Sequence, residues 1–199
     1  MTQSHQETTA YGWGTRAIHI SLALAVIVQL ATSLFMSHDT ESGGENLLFE
    51  VHEYSGLTSL AIIAVFWLLV FFRKKGTPLG LLFPWFSGPR RKALKASGAR
   101  HFKAVKAKRV PGYEDEDAVA SAMHGLGILI ISVMTLTGLL YFIGGKMGAP
   151  DGVISTVAIT IHAPFSKLVW AYLIGHAGIA VLHALRRERP LSVMWSLKK

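Results

Sequence analysis

There is no cysteine among the 199 residues. That excludes disulfides, thiolate-held iron–sulfur clusters and covalent haem attachment through cysteine. Charge is scarce as well: only 16% of residues are Asp, Glu, Lys or Arg, and they gather in the connections. Four long stretches are left almost free of charge, about Ile18–Phe35, Leu57–Phe72, Met123–Ile143 and Val153–Leu185. The opening segment has no basic run ahead of a short apolar stretch, so no cleaved signal peptide is expected and the first apolar stretch serves as its own insertion signal. No internal repeat stands out.

Hydrophobic residues make up 51% of the chain and the mean hydropathy is +0.39, high for a soluble protein. The first three apolar stretches are near the length of a bilayer span, and the last is long enough to be only partly immersed. The expectation is an all-α fold, an integral membrane four-helix bundle forming one domain over 1–199. Its spans fall at about 15–36, 51–72, 118–143 and 158–185, with a basic loop at 73–117. Lys and Arg outnumber Asp and Glu by 20 to 12, a balance that by itself suggests nucleic acid. Their placement argues for a membrane instead. Twelve lie between Arg73 and Arg109, five follow Leu185 and one is Arg16, all on one side of a four-span chain, while only Lys146 and Lys167 remain for the other. This positive-inside pattern puts both termini in the cytoplasm of a bacterial inner membrane, with the basic loop beside anionic lipid.

Along the chain, Trp13 and Arg16 suit the inner interface. The outer loop, Ser37 to Glu53, holds Asp39, Glu41, Glu45, Glu50 and Glu53 without a Lys or Arg, and Gly43–Gly44 marks its turn. In the basic loop, LLFPWF (81–86) is expected to dip into the interface and 92–108 to form a short basic surface helix, with His101 a solvated loop residue. The acids at 114–117 suit the start of the third span. That span carries His124 near its inner end and glycines at Gly125, Gly127 and Gly138, read as one small-residue face.

Histidines inside spans are costly, rare and usually functional. His162 and His176 are fourteen residues apart on the fourth span. On a helix they point the same way, about 21 Å apart along the axis, most of a hydrocarbon core of about 30 Å. His52 lies at the outer end of the second span and His19 near the inner end of the first. The depths therefore match as His52 with His162 and His19 with His176. Facing imidazoles are what a bis-histidine b-type haem needs, and with both axial positions taken the iron is suited to electron transfer. Gly56, one turn after His52, leaves room for a flat macrocycle to approach. Singly, each histidine is equally consistent with a helix–helix hydrogen bond or a proton relay. Zinc would need three or four clustered ligands, which two separated layers do not supply. His183, seven residues after His176, belongs at the interface near a haem propionate or a quinone head, though depth alone also allows a His19–His183 pair. For His124 the expectation is packing or interfacial hydrogen bonding.

These motifs resemble the bacterial cytochrome b561 family and the related b-type cytochrome subunits of Ni,Fe-hydrogenases. The resemblance spans nearly the whole chain. It rests on R-A-I-H (16–19), H-E-Y-S-G (52–56), T-L-T-G (135–138) and H-x13-H-x6-H running into L-R-R-E-R-P-L-S-V-M (185–194). It implies a four-helix membrane cytochrome with two haem b groups that exchanges electrons with quinone. Carried over, the ligands are His19 and His176 for a cytoplasmic haem, and His52 and His162 for a periplasmic haem. By position, Arg16, Gly56 and His183 are expected as haem or propionate contacts. Depth makes Trp13, Arg16, His124 and His183 the quinone-site candidates. The expected function is electron transfer between the quinone pool and a periplasmic redox protein, such as a c-type cytochrome or a dehydrogenase subunit. The alternatives are a stand-alone oxidoreductase of the superoxide:quinone type and, from another class, a haem-free proton-coupled transporter.

Overall fold

The computed structural model describes residues 11–36, 38–39, 44–45, 47–112, 114, 117–188 and 191–195. Four long helices dominate: α1 (Trp13–Ser33), α2 (Leu47–Phe72), α5 (Ala118–Lys146) and α6 (Val153–Leu185). Each is long and apolar enough to cross a membrane. Between α2 and α5 lie α3 (Leu79–Leu82), a 3-10 turn (Pro84–Phe86) and α4 (Gly88–Lys106), and α7 (Ser192–Trp195) follows α6. The only strands among the described residues are a two-residue antiparallel pairing of β1 (His38–Asp39) with β2 (Gly44–Glu45) in the α1–α2 connection. Glu41, Gly43, Arg189 and the last two lysines, assigned above to loops and the basic tail, lie outside the described residues.

α2, α5 and α6 overrun the expected spans, whereas α1 ends at Ser33, short of the expected 36. α2 begins four residues before the expected start at 51, and α6 five residues before 158. α5 continues to Lys146 and ends where Gly148 takes φ +71°, a left-handed geometry suited to glycine. Pro164 lies within α6 and removes one backbone donor, yet the helix continues through it. At 33 residues α6 is about 50 Å long, so about 20 Å extends past the hydrocarbon core.

α1 packs on α2, α2 on α5 and α5 on α6. The shared core comes from Leu22 and Leu30 of α1, Ile63 and Phe66 of α2, Ile128 and Ile131 of α5 and Val169 of α6. Trp67 joins α2 to α5 by donating from Nε1 to Ser132 Oγ at 2.9 Å. The outward surfaces of α2 and α6 are rich in exposed Leu, Ile, Val and Phe, as lipid contact demands. Among the described residues, α1 and α2 are not close-packed neighbours of α6. Both histidine pairs bridge those looser gaps.

The segment 81–86 does more than dip into an interface. Leu82 and Pro84 are buried, and Phe83 stacks on Trp67 with ring centres 5.5 Å apart. Trp85 and Phe86 stay outside, Phe86 at 90% exposed. The expected basic surface helix is α4, beginning four residues before 92.

Candidate functional site

The site is two layers of histidines, one near each end of the bundle. At the end that carries the acidic α1–α2 connection, His52 of α2 faces His162 of α6, with ring centres 6.2 Å apart and planes nearly perpendicular at 84°. At the end that carries the basic segment, His19 of α1 faces His176 of α6 at 6.4 Å. The third member of that layer is His124 of α5, whose ring lies edge-on to His176 at 5.3 Å. Tyr172, one turn before His176 on α6, stacks on it at 5.4 Å and 9°. Helical spacing of four residues makes that contact, a signal the sequence carried in plain form.

The two layers are held differently. His52 Nδ1 is 3.0 Å from Thr32 Oγ1, and His162 Nδ1 is 3.0 Å from Thr137 Oγ1. Gln29 Nε2 donates to the His52 carbonyl at 2.9 Å, tying α1 to α2 at this level. Gly56 faces that Gln29 side chain, so its openness accommodates α1 packing. His19 Nδ1, in contrast, is buried and has no hydrogen-bond partner among the described residues.

The glycines of α5 do not form the single face expected of them. A side chain on Gly125 would strike the Leu82 carbonyl of α3, whereas one on Gly127 would strike the Tyr172 hydroxyl of α6. Gly138 also faces α6, where a Cβ would come within 3.3 Å of His162 Cε1. Two steps along a helix turn the side chain through about 200°, which separates Gly125 from Gly127, while eleven steps return Gly138 close to Gly127's direction.

Two cavities flank the His19–His176 layer. The smaller, about 110 Å³, runs into the bundle past Thr15, Gly127 and Leu82 and reaches Arg73. The larger, about 380 Å³, opens among α5, α6 and the ends of the connections, and His101, Glu114, Asp117, His124 and His183 line it. Of the quinone-site candidates, His124 and His183 therefore share one cavity. Arg16 is buried near the start of α1, while Trp13 is 55% exposed and lines neither cavity. The His183 ring meets Glu188 Oε2 at 2.6 Å, while His176 is the imidazole beside His19.

His101 is no solvated loop residue. It sits on α4, bonds through Nδ1 with the Ser97 carbonyl at 2.9 Å and lies 3.8 Å from Asp117 Oδ1. Asp117 caps α5, accepting from Val119 and Ala120 N–H at 2.9 and 3.0 Å, and also receives Ser97 Oγ at 2.7 Å. Burial pushes its carboxyl up, but the Ser97 and backbone hydrogen bonds with His101 nearby outweigh this and hold it below the usual carboxylate range.

An iron between two imidazoles requires two metal–nitrogen bonds of about 2 Å and two ring radii of about 1.1 Å, hence about 6.2 Å between ring centres. Both pairs have that spacing, 6.2 and 6.4 Å. The looser gaps beside α6 suit the same group. Fold and site together define a four-helix membrane protein of b-type cytochrome character. Residues 10–197 match the family described as prokaryotic cytochrome b561, and the chain belongs to that family. It is a b-type membrane cytochrome that binds haem b and transfers electrons. Comparisons with curated proteins and with solved structures give no match.

Proposed function

We propose that the protein holds two haem b groups and links quinone to a redox protein on the opposite face of the bacterial inner membrane. The observation that carries this reading is the pair of histidine contacts at 6.2 and 6.4 Å, one at each end of the same bundle. In this reading His52 and His162 ligate one haem, at the periplasmic end, and His19 and His176 the other, at the cytoplasmic end. Both termini are cytoplasmic. A bound b haem with two imidazole ligands supplies one-electron chemistry without an open coordination position.

The rest is the work of the chain. Fourteen residues of one continuous helix set the two layers about 21 Å apart along its axis. Tyr172 and His124 hold the His176 ring from two sides. Reduction of a quinone to a quinol takes up two protons with two electrons, so a quinone site needs titratable groups at its wall. The 380 Å³ cavity has them in His124, His183, His101 and Glu114, adjacent to the His19–His176 layer. Arg73, lining the smaller cavity, supplies a positive charge for a propionate or a quinone oxygen.

The test is a haem count followed by single substitutions. A pyridine haemochrome assay on purified, fully loaded protein should give two haems per chain. His52→Ala and His162→Ala should remove the same redox centre, and His19→Ala and His176→Ala the other, as read by potentiometric titration. One haem per chain, or a His183→Ala variant that loses a haem while His176→Ala keeps both, overturns the assignment.

A further inference from the structure

Thr32 and Thr137 are paired in the same way with the two histidines of the acidic end. Thr32 Oγ1 also stands 2.8 Å from the Val28 carbonyl and 3.0 Å from that of Gln29, while Thr137 Oγ1 stands 2.7 and 3.1 Å from the carbonyls of Val133 and Met134. A hydroxyl has one proton to donate, and a carbonyl can only accept. Each threonine proton is therefore directed to its own helix, and each oxygen turns lone pairs toward an imidazole Nδ1. The hydrogen bond then has to run from Nδ1–H to the threonine. Nδ1 carries the proton, and Nε2 is left bare as the ligating nitrogen. Both threonines are buried, at 7% exposed each, where such a bond is stronger than in water.

We propose that Thr32 and Thr137 are positioning residues of the acidic-end redox centre. They select the Nδ1–H tautomer of His52 and His162, fix the ring orientations and make both imidazoles stronger electron donors. The inference rests on the reading that these histidines ligate a haem iron. An acceptor on the far nitrogen raises the basicity of a metal-bound imidazole. A more basic ligand favours the ferric state, so the threonines lower the potential of this centre. His19 has no matching hydroxyl, since its Nδ1 is buried without a partner among the described residues. The two levels of the bundle are thereby made electronically unequal by residues that touch neither iron.

The experiment uses the full-length protein in detergent, with Thr32→Val, Thr137→Val, the double variant and the matching Ser variants. Wild type and His52→Ala are titrated first, to identify which optical and electron paramagnetic resonance signals belong to the acidic-end centre. If wild type lacks two haems, or His52→Ala keeps both, the ligand assignment itself has failed. With that assignment standing, each Val variant should raise the potential of this centre alone. The double variant should raise it further, and Ser should restore it toward wild type. The low-spin ferric signal of the same centre should move with the potential. Loss of this haem in the Val variants with retention in the Ser variants supports the same role. An unchanged potential in the double Val variant overturns the proposal, as do a shift confined to the other centre and loss of the haem in the Ser variants.

Discussion

At the scale of the residue, Asp117 shows how one side chain joins a surface helix to a membrane span. It caps α5, receives Ser97 of α4 at 2.7 Å and receives Arg100 of α4 at 2.8 Å. Its carboxylate is buried at 6% exposed, whereas Arg100 is 55% exposed, so the cap and the Ser97 bond matter more than the ion pair. Replacing it with Ala should cost about 0.5–2 kcal/mol for the cap, with a further loss from the abandoned Ser97 hydroxyl. The pH dependence has a definite sign. The folded carboxyl titrates below its ordinary value of 3.8, so its stabilisation is complete above that value and is lost as the pH falls through the lower folded one. Thermal unfolding by circular dichroism should show wild type well above Asp117→Asn at pH 6 and the two converging as the solution is acidified below about pH 4. A gap that holds constant down to pH 2.5 would contradict this. The acids at 114–117 were readable as a helix start from the sequence. Ser97 as the partner was not, because twenty residues and a turn separate it from Asp117. The same limit applies at the histidines. Their pairing by depth follows from helical spacing, but Thr32 and Thr137 approach them from other helices, and only packing brings them there.

At the scale of the element, the four long helices were legible because the lipid-facing surfaces leave long runs of apolar residues. Their ends were less so. Apolar length sets the membrane crossing, not the helix, and α6 continues about 20 Å past the core. The docking of α3 under α5 had no sequence signal. LLFPWF reads as an interfacial segment, and only the glycine of α5 facing the Leu82 carbonyl shows that the backbone itself is packed there. Gly125 is the residue on which that contact depends. A methyl group there meets backbone and not a side chain that could rotate, so Gly125→Ala should destabilise the protein by about 1–3 kcal/mol. Gly98 in α4 has open space around its Cβ position, and Gly98→Ala should stabilise by up to about 1 kcal/mol through helix propensity. Melting temperatures of the two variants in one detergent decide the matter, since equal shifts for both would show that α3 yields freely.

At the scale of the whole molecule, charge is sorted by end. Asp39, Glu41, Glu45, Glu50, Glu53 and Asp151 gather in the sequence around the His52–His162 end, against Lys146 and Lys167. Of these, Glu50 and Asp151 are exposed, and Lys146 lies 5.2 Å from the centre of the Phe142 ring. A net negative surface attracts cationic partners and slows anionic ones. A c-type cytochrome or other redox protein with a basic patch would be steered to it, and superoxide repelled. Acids contribute little to topology, so their concentration here is not required by membrane insertion. Exchange of electrons with a basic soluble cytochrome should slow as ionic strength rises, because screening shortens the reach of the field to about 10 Å at 0.1 M and about 3 Å at 1 M. Neutralising Glu45, Glu50 and Glu53 together should flatten that dependence and lower the association rate at low salt, while leaving the haem count unchanged. Stopped-flow measurement across the salt range reads both effects. A rate indifferent to salt, accompanied by fast oxidation of superoxide, would place the protein instead among stand-alone oxidoreductases, with the acidic surface serving only to solvate the connection between α1 and α2.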